Sequence, residues 1–192
     1  MEPANTTGTG GGTLYYGDPD SPHVLQVFIE LRDRASHRMA DNLLGTIRQA
    51  ADQGKFVVKF HFAATIDDAA GGNGSQRALS ALAAASDVGQ KQFIEYLGTL
   101  FASQPPVTDD RFSDASVLLS LAGEVDQLRS ADFDQKVTDN RYMTWAGESI
   151  GTFESFGVVG TPVVWHDDEV IPVVKTIDGP CITAQEFLAQ LQ

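Results

Sequence analysis

Two apolar runs joined by one helical stretch constrain this chain more than any other feature. Val24-Leu25-Gln26-Val27-Phe28-Ile29-Glu30 reads as a buried strand, and Phe56-Val57-Val58-Lys59-Phe60-His61-Phe62 as a second. Between them Met39, Leu43, Leu44 and Ile47 recur at helical spacing, and the pattern stops at Gln53-Gly54, which suits a C-cap. Strand, helix of a dozen or more residues, strand is the crossover unit of a parallel pair. An α/β fold follows.

The rest of the chain supplies what surrounds that unit. Residues 1–22 form a Gly/Thr/Pro-rich lead, with Thr13-Leu14-Tyr15-Tyr16 as a candidate edge strand and Gly8 to Gly12 of flexible linker composition. Asp67 to Ser75, with three glycines, reads as a loop. From Gln76 to Ser103 the chain is Ala/Leu-rich, with Leu79, Leu82, Phe93, Leu97 and Phe101 at helical steps before Pro105-Pro106. Ser113-Asp114 opens a further helix carrying Val117, Leu118, Leu121 and Val125. Phe133 to Asp139 and Tyr142 to Phe156 are two more. Gly157-Val158-Val159-Gly160-Thr161-Pro162-Val163-Val164-Trp165 then reads as helix end, tight turn, proline and strand. Pro162 to His166 and Val170 to Val174 make an antiparallel hairpin around Asp167-Asp168-Glu169. Thr183-Ala184-Gln185-Glu186 is a capping box with Phe187, Leu188 and Leu191 behind it. Periodicity alone yields α/β with a helical insertion over about residues 76–156, within one domain spanning 23–192.

Bulk properties exclude several functions. A net charge of −13 and a pI near 4.5 argue against nucleic-acid phosphates as partners. No apolar run approaches the ~20 residues that span a bilayer, so no membrane role is expected. The start Met1-Glu2-Pro3-Ala4-Asn5 lacks the basic and apolar regions of a secretory signal, and the chain reads as cytoplasmic. Cys181 is the only cysteine, so no disulfide can close within one chain. The four histidines, His23, His37, His61 and His166, show no metal-ligand spacing, and neither metal nor cofactor is expected.

The order of elements, the tetrapeptide Asp33-Arg34-Ala35-Ser36 where the first strand passes into its helix, and Thr161-Pro162 before a late strand together resemble the DsbA-like branch of the thioredoxin superfamily. The resemblance runs from about Val24 to Gln192. It implies a thioredoxin fold with an inserted helical domain and a thiol:disulfide oxidoreductase family, related to disulfide isomerases. It also implies a cis bond before Pro162, whose neighbour offers backbone hydrogen bonds to a peptide or glutathione. The family's Cys-x-x-Cys would occupy positions 33 and 36, where this chain has Asp and Ser. Kappa-class glutathione transferases and related isomerases, similar in fold, use serine at the first motif position. Here that position is Asp33.

Each candidate residue has a chemical and a structural reading. Asp33 suits a helix N-cap, contributing ~1 kcal/mol, or a general base at a groove. Ser36 suits a first-turn helix residue or, less readily, a nucleophile, and its neighbour His37 lies on another helix face. Arg32, Arg34 and Arg38 form a basic cluster that suits anion binding or a self-compensating surface with Glu30, Asp33 and Asp41. His61 reads as a core residue, Trp145 and Trp165 as packing residues, and Cys181 as a small buried one. The expectation is a non-redox peptide- or ligand-binding module, with Asp33, Ser36, Thr161 and Pro162 at its site. An extended peptide or a small thiol such as glutathione would be its partner. The alternatives are a glutathione-dependent transferase or isomerase using Ser36 or Arg34, and single-cysteine thiol exchange through Cys181.

Overall fold

A computed structural model describes residues 1–175 and 179–191. Its centre is a six-stranded sheet built from β1 (Thr6–Thr7), β2 (Thr13–Tyr16), β3 (Val24–Ile29), β4 (Val57–Phe62), β5 (Val163–His166) and β6 (Glu169–Ile171). Their spatial order is β1-β2-β4-β3-β5-β6. Among the described residues only β3 and β4 pair in parallel, joined by helices α1 (Arg34–Met39) and α2 (Gly45–Asp52) with a π-helical turn at Ala40–Leu44 between them. The C-cap at Gln53 and Gly54, at φ 74°, ends α2 where the sequence places it.

Strand alternation divides the sheet into two faces. Leu25, Val27 and Ile29 share one face with Val58, Phe60 and Phe62, and Met39, Leu43 and Ile47 belong to the same buried core. Phe28 and His61 lie on the other face, stacked at 4.5 Å, with Phe153 against Phe28. Phe153 comes from α8 (Met143–Ser155), the last helix of the insertion. The remaining helices are α3 (Thr65–Ala70), α4 (Gly74–Val88), α5 (Gln90–Ala102), α6 (Ala115–Ala122), α7 (Ala131–Thr138) and α9 (Ala184–Ala189). In α4 every residue from Ala78 to Ser86 is buried, so its alanines pack on all sides as the core helix of the insertion. No helix among the described residues is long and apolar enough to cross a membrane.

Four features differ from the sequence reading. The Gln76–Ser103 helical run is divided at Gly89 into two helices, a break that its spacing of apolar residues does not mark. Thr13–Tyr16 is a strand but not the edge, because Thr6–Thr7 pairs outside it. The lead is more ordered than its composition suggests: the Ala4 amide donates to Asp87 at 2.8 Å, Asn5 Nδ2 to the Ser86 carbonyl at 2.9 Å, and Trp145 Nε1 to the Gly11 carbonyl at 2.9 Å.

The fourth difference lies in the expected loop at Asp67–Ser75, where α3 ends and α4 begins. Glu30 serves α3 from far away in the sequence, its carboxylate accepting from the Ile66 amide at 2.7 Å and the Thr65 hydroxyl at 2.6 Å. Two further carboxylates serve α4. Asp110 accepts from the amides of Asn73 and Gly74, and Asp67 from those of Ser75 and Gln76. All four amides belong to the first turn, where a helix leaves its donors unpaired. None of these caps is local, so no capping signature marks either helix.

Candidate active-site groove

The first helix begins where β3 has delivered the chain into a tight turn, with the Asp33 amide donating to the Glu30 carbonyl at 3.1 Å. Asp33 has extended backbone angles and its carboxylate accepts from the amides of Ala35 at 3.2 Å and Ser36 at 2.8 Å. It is a helix N-cap. The same carboxylate oxygen that binds the Ser36 amide also accepts from the Ser36 hydroxyl at 2.8 Å and the Thr161 hydroxyl at 3.0 Å. Asp33 therefore joins the helix start to the turn before β5.

That turn is held by backbone geometry. The Thr161–Pro162 bond is cis, and Gly160 sits at φ 76°, a left-handed conformation that favours glycine. Among the described residues neither the amide nor the carbonyl of Thr161 makes a backbone hydrogen bond. Beside it lies an open cavity of about 540 Å³ lined by Ala35, Val159, Thr161, Pro162, Val163 and Val174, together with Gly160. Val159 is 94% exposed at its rim, which is unusual for a valine and leaves apolar surface facing outward.

The fold brings Asp33, Ser36, Thr161 and Pro162 into one place, but not in equivalent roles. Ser36 is fully buried, and its hydroxyl donates to Asp33 while accepting from the Glu30 amide at 3.1 Å. Such a hydroxyl is committed to local structure. Arg34 is exposed at the helix start, and Ala35 lines the cavity. His37 turns away, donating from Nδ1 to the Phe101 carbonyl at 2.6 Å.

The expected basic cluster does not form. Arg32 is buried, donating to Asp67 at 2.7 Å and to the carbonyls of Gly71 at 3.2 Å and Val107 at 2.8 Å, with Asp110 at 2.9 Å. Its charge is consumed beneath the start of α4, leaving Arg34 and Arg38 nearer the surface. Cys181 is also buried, and burial raises its thiol pKa. It lies opposite Val174 in an isolated antiparallel bridge. His61 is a core residue whose burial, assisted by the Lys59 charge, lowers its pKa to about 4, so it is neutral at pH 7. Trp165 packs on Phe28, at 4.8 Å between ring centroids, on the other sheet face.

In the sequence Glu30 closes the first strand and reads as a charge that compensates the neighbouring arginines. It is in fact buried, one residue beyond β3, and accepts also from the Ser75 hydroxyl at 3.1 Å. Burial raises its carboxyl pKa; the hydrogen bonds from Thr65, Ile66 and Ser75 oppose the rise and the Asp33 charge adds to it. A carboxyl raised in this way contributes its stability fully below its unfolded value, near 4.5, and loses it as pH climbs through the folded value. Glu30→Gln cannot ionise, so its stability relative to the parent is expected to improve as pH rises from about 4 to about 7. Urea denaturation at a series of pH values measures this, and a difference independent of pH would contradict it.

Comparison with known proteins agrees with this architecture. A thioredoxin family model matches residues 9–180. Among solved structures, the chain is similar to a reduced disulfide-bond oxidoreductase, DsbG, from Mycobacterium tuberculosis, at 18% identity and a TM-score of 0.73, covering 91% of this chain and 80% of that one. BdbD from Bacillus subtilis, in its oxidised form, matches at 16% identity and 0.73, covering 100% and 97%. MdbA from Actinomyces oris, a thiol-disulfide oxidoreductase, matches at 15% identity and 0.75, covering 94% and 85%. At these identities the likeness is one of fold. No curated protein matches the sequence.

Proposed function

Since this chain belongs to the thioredoxin family, with a DsbA-like architecture, we propose that it is a non-redox member whose groove between Asp33 and Pro162 binds an extended peptide or a small thiol such as glutathione. The observation that carries this reading is the closed hydrogen-bond set on Asp33. The positions where a dithiol would sit hold an aspartate and a serine, and the aspartate accepts from both the serine hydroxyl and the Thr161 hydroxyl. Neither is a free nucleophile, and the main chain of Thr161 is left to pair with a ligand in extended conformation.

The alternatives fare less well for stated reasons. A transferase or isomerase using Ser36 would need a hydroxyl that reaches substrate, and this one is enclosed. Arg34 remains exposed, yet it has no partner acid or base placed to act with it among the hydrogen bonds of the described residues. Exchange through Cys181 needs a thiolate, and burial disfavours that form.

The test is a heteronuclear NMR titration with reduced glutathione and, separately, with an unstructured peptide rich in apolar residues. Shifts are expected to cluster at Ala35 and Val159 to Val163 for one of the two probes. Val159→Asp should then weaken that probe at least severalfold by placing charge on the apolar rim. Shifts scattered elsewhere, or none with either probe, would defeat the binding reading. Conjugation of glutathione to an electrophile that disappears in Ser36→Ala would replace it with the transferase.

A further inference from the structure

At the opposite end of β3 from Asp33, roughly 20 Å away along the strand, the fold assembles three side chains that the sequence keeps far apart. His23 immediately precedes β3, His166 ends β5, and Asp167 opens the turn into β6. Residues two apart on a strand share a face, so His23 lies on the side of Leu25. His166 is the register partner of Leu25 and lies on that side too. The two imidazole rings are 5.7 Å apart between centroids.

Asp167 adopts φ 47°, and from this left-handed turn it reaches back to β3. One carboxylate oxygen accepts from the Val24 amide at 2.9 Å, while the Asp167 amide donates to the Val24 carbonyl at 3.0 Å. The other oxygen lies 2.6 Å from His23 Nδ1 and 3.9 Å from His166 Nε2. One ligand atom from each of the three residues lies within 4.8 Å of the others.

We propose that His23, His166 and Asp167 form a binding site for one divalent transition-metal ion of the zinc(II) class. Two imidazole nitrogens and a carboxylate oxygen are donors that such ions accept, whereas calcium and magnesium prefer shells of oxygen alone. Drawing the ligand atoms to the ~3.3 Å separation of a tetrahedral shell, with bonds of ~2.0–2.1 Å, asks for side-chain rotation from the 2.6 and 3.9 Å that now separate the Asp167 oxygen from the two imidazoles. The His23 side chain, 53% exposed, has that freedom, and the His166 side chain, at 19%, is the better anchored. Val24 orients the carboxylate as an outer partner orients a metal ligand.

His23 and His166 border a cavity of about 530 Å³ that they share with Lys55, Phe56, Leu188 and Leu191. It has room for water to complete the coordination shell. A bound ion would tie the start of β3 to the β5–β6 hairpin and stabilise the folded chain by mass action. The site is independent of the Asp33 groove, so either can fail without the other.

Untagged protein titrated with zinc chloride in a calorimeter, followed by nitrogen-15 spectra of the histidine rings, tests this. One equivalent is expected to bind, shifting the His23 and His166 rings while those of His37 and His61 stay in place. His23→Gln and His166→Gln should each weaken binding at least tenfold, and His37→Gln should leave it unchanged. Circular dichroism confirms that each variant is folded. Absence of heat and ring shifts up to millimolar zinc would overturn the proposal, as would an isotherm that survives the His23→Gln/His166→Gln double variant. Equal ring shifts with magnesium chloride would overturn the assigned ion class.

Discussion

Arg32→Ala is expected to destabilise the protein by about 3–5 kcal/mol, the range found when one partner of a buried ion pair is removed. The Arg32 side chain is 1% exposed and its guanidinium faces Asp67, Asp110 and the carbonyls of Gly71 and Val107. Truncation would leave two carboxylates and two carbonyls without their shared donor. Asp67 and Asp110 are also the groups that cap the first turn of α4, so repulsion between them would loosen the core helix of the insertion. Arg32→Lys should recover only part of the loss, since one ammonium cannot reproduce the spread of a planar guanidinium. Urea denaturation with the midpoint and slope fitted together checks both. A loss below about 1 kcal/mol, ordinary for an exposed pair, would show that the network contributes little.

Asp33→Cys/Ser36→Cys should turn the chain into a dithiol oxidoreductase. The side chains of Asp33 and Ser36 already meet across the first turn of α1, the carboxylate accepting from the hydroxyl at 2.8 Å, so cysteines at these two positions would face each other. The donors now serving Asp33, the amides of Ala35 and Ser36 and the hydroxyl of Thr161, would stabilise a thiolate at position 33. Expected results are a mass loss of two hydrogens on oxidation and insulin reduction by dithiothreitol well above buffer. The parent chain, with Cys181 alone, should match buffer. Failure of the double variant to oxidise would show that the helix start is not arranged as described. Insulin reduction by the parent would refute the non-redox reading.

Both predictions concern one end of β3, and they show where sequence reasoning holds. Asp33 could be identified as an N-cap because capping is a local contest between a carboxylate and amides two and three residues on. The Thr183–Glu186 capping box was legible for the same reason, with both of its reciprocal hydrogen bonds present. The hairpin at Asp167–Asp168 follows from a turn of two residues with positive φ, for which aspartate is among the tolerant types. Arg32 was misplaced by the same local logic. Its neighbours Arg34 and Arg38 suggested a surface cluster, whereas its partners lie 35 and more residues away.

By itself the sequence determined the α/β class, the parallel β3–β4 pair, the late hairpin and most helices of the insertion. These features rest on side-chain periodicity and local caps, interactions that span a few residues. The tertiary structure alone decided which charges are buried, where α3 and α4 begin, and that His23 meets His166 and Asp167. A carboxylate such as Glu30 or Asp67 is costly to bury unless distant donors converge on it, and only the folded topology sets where those donors stand.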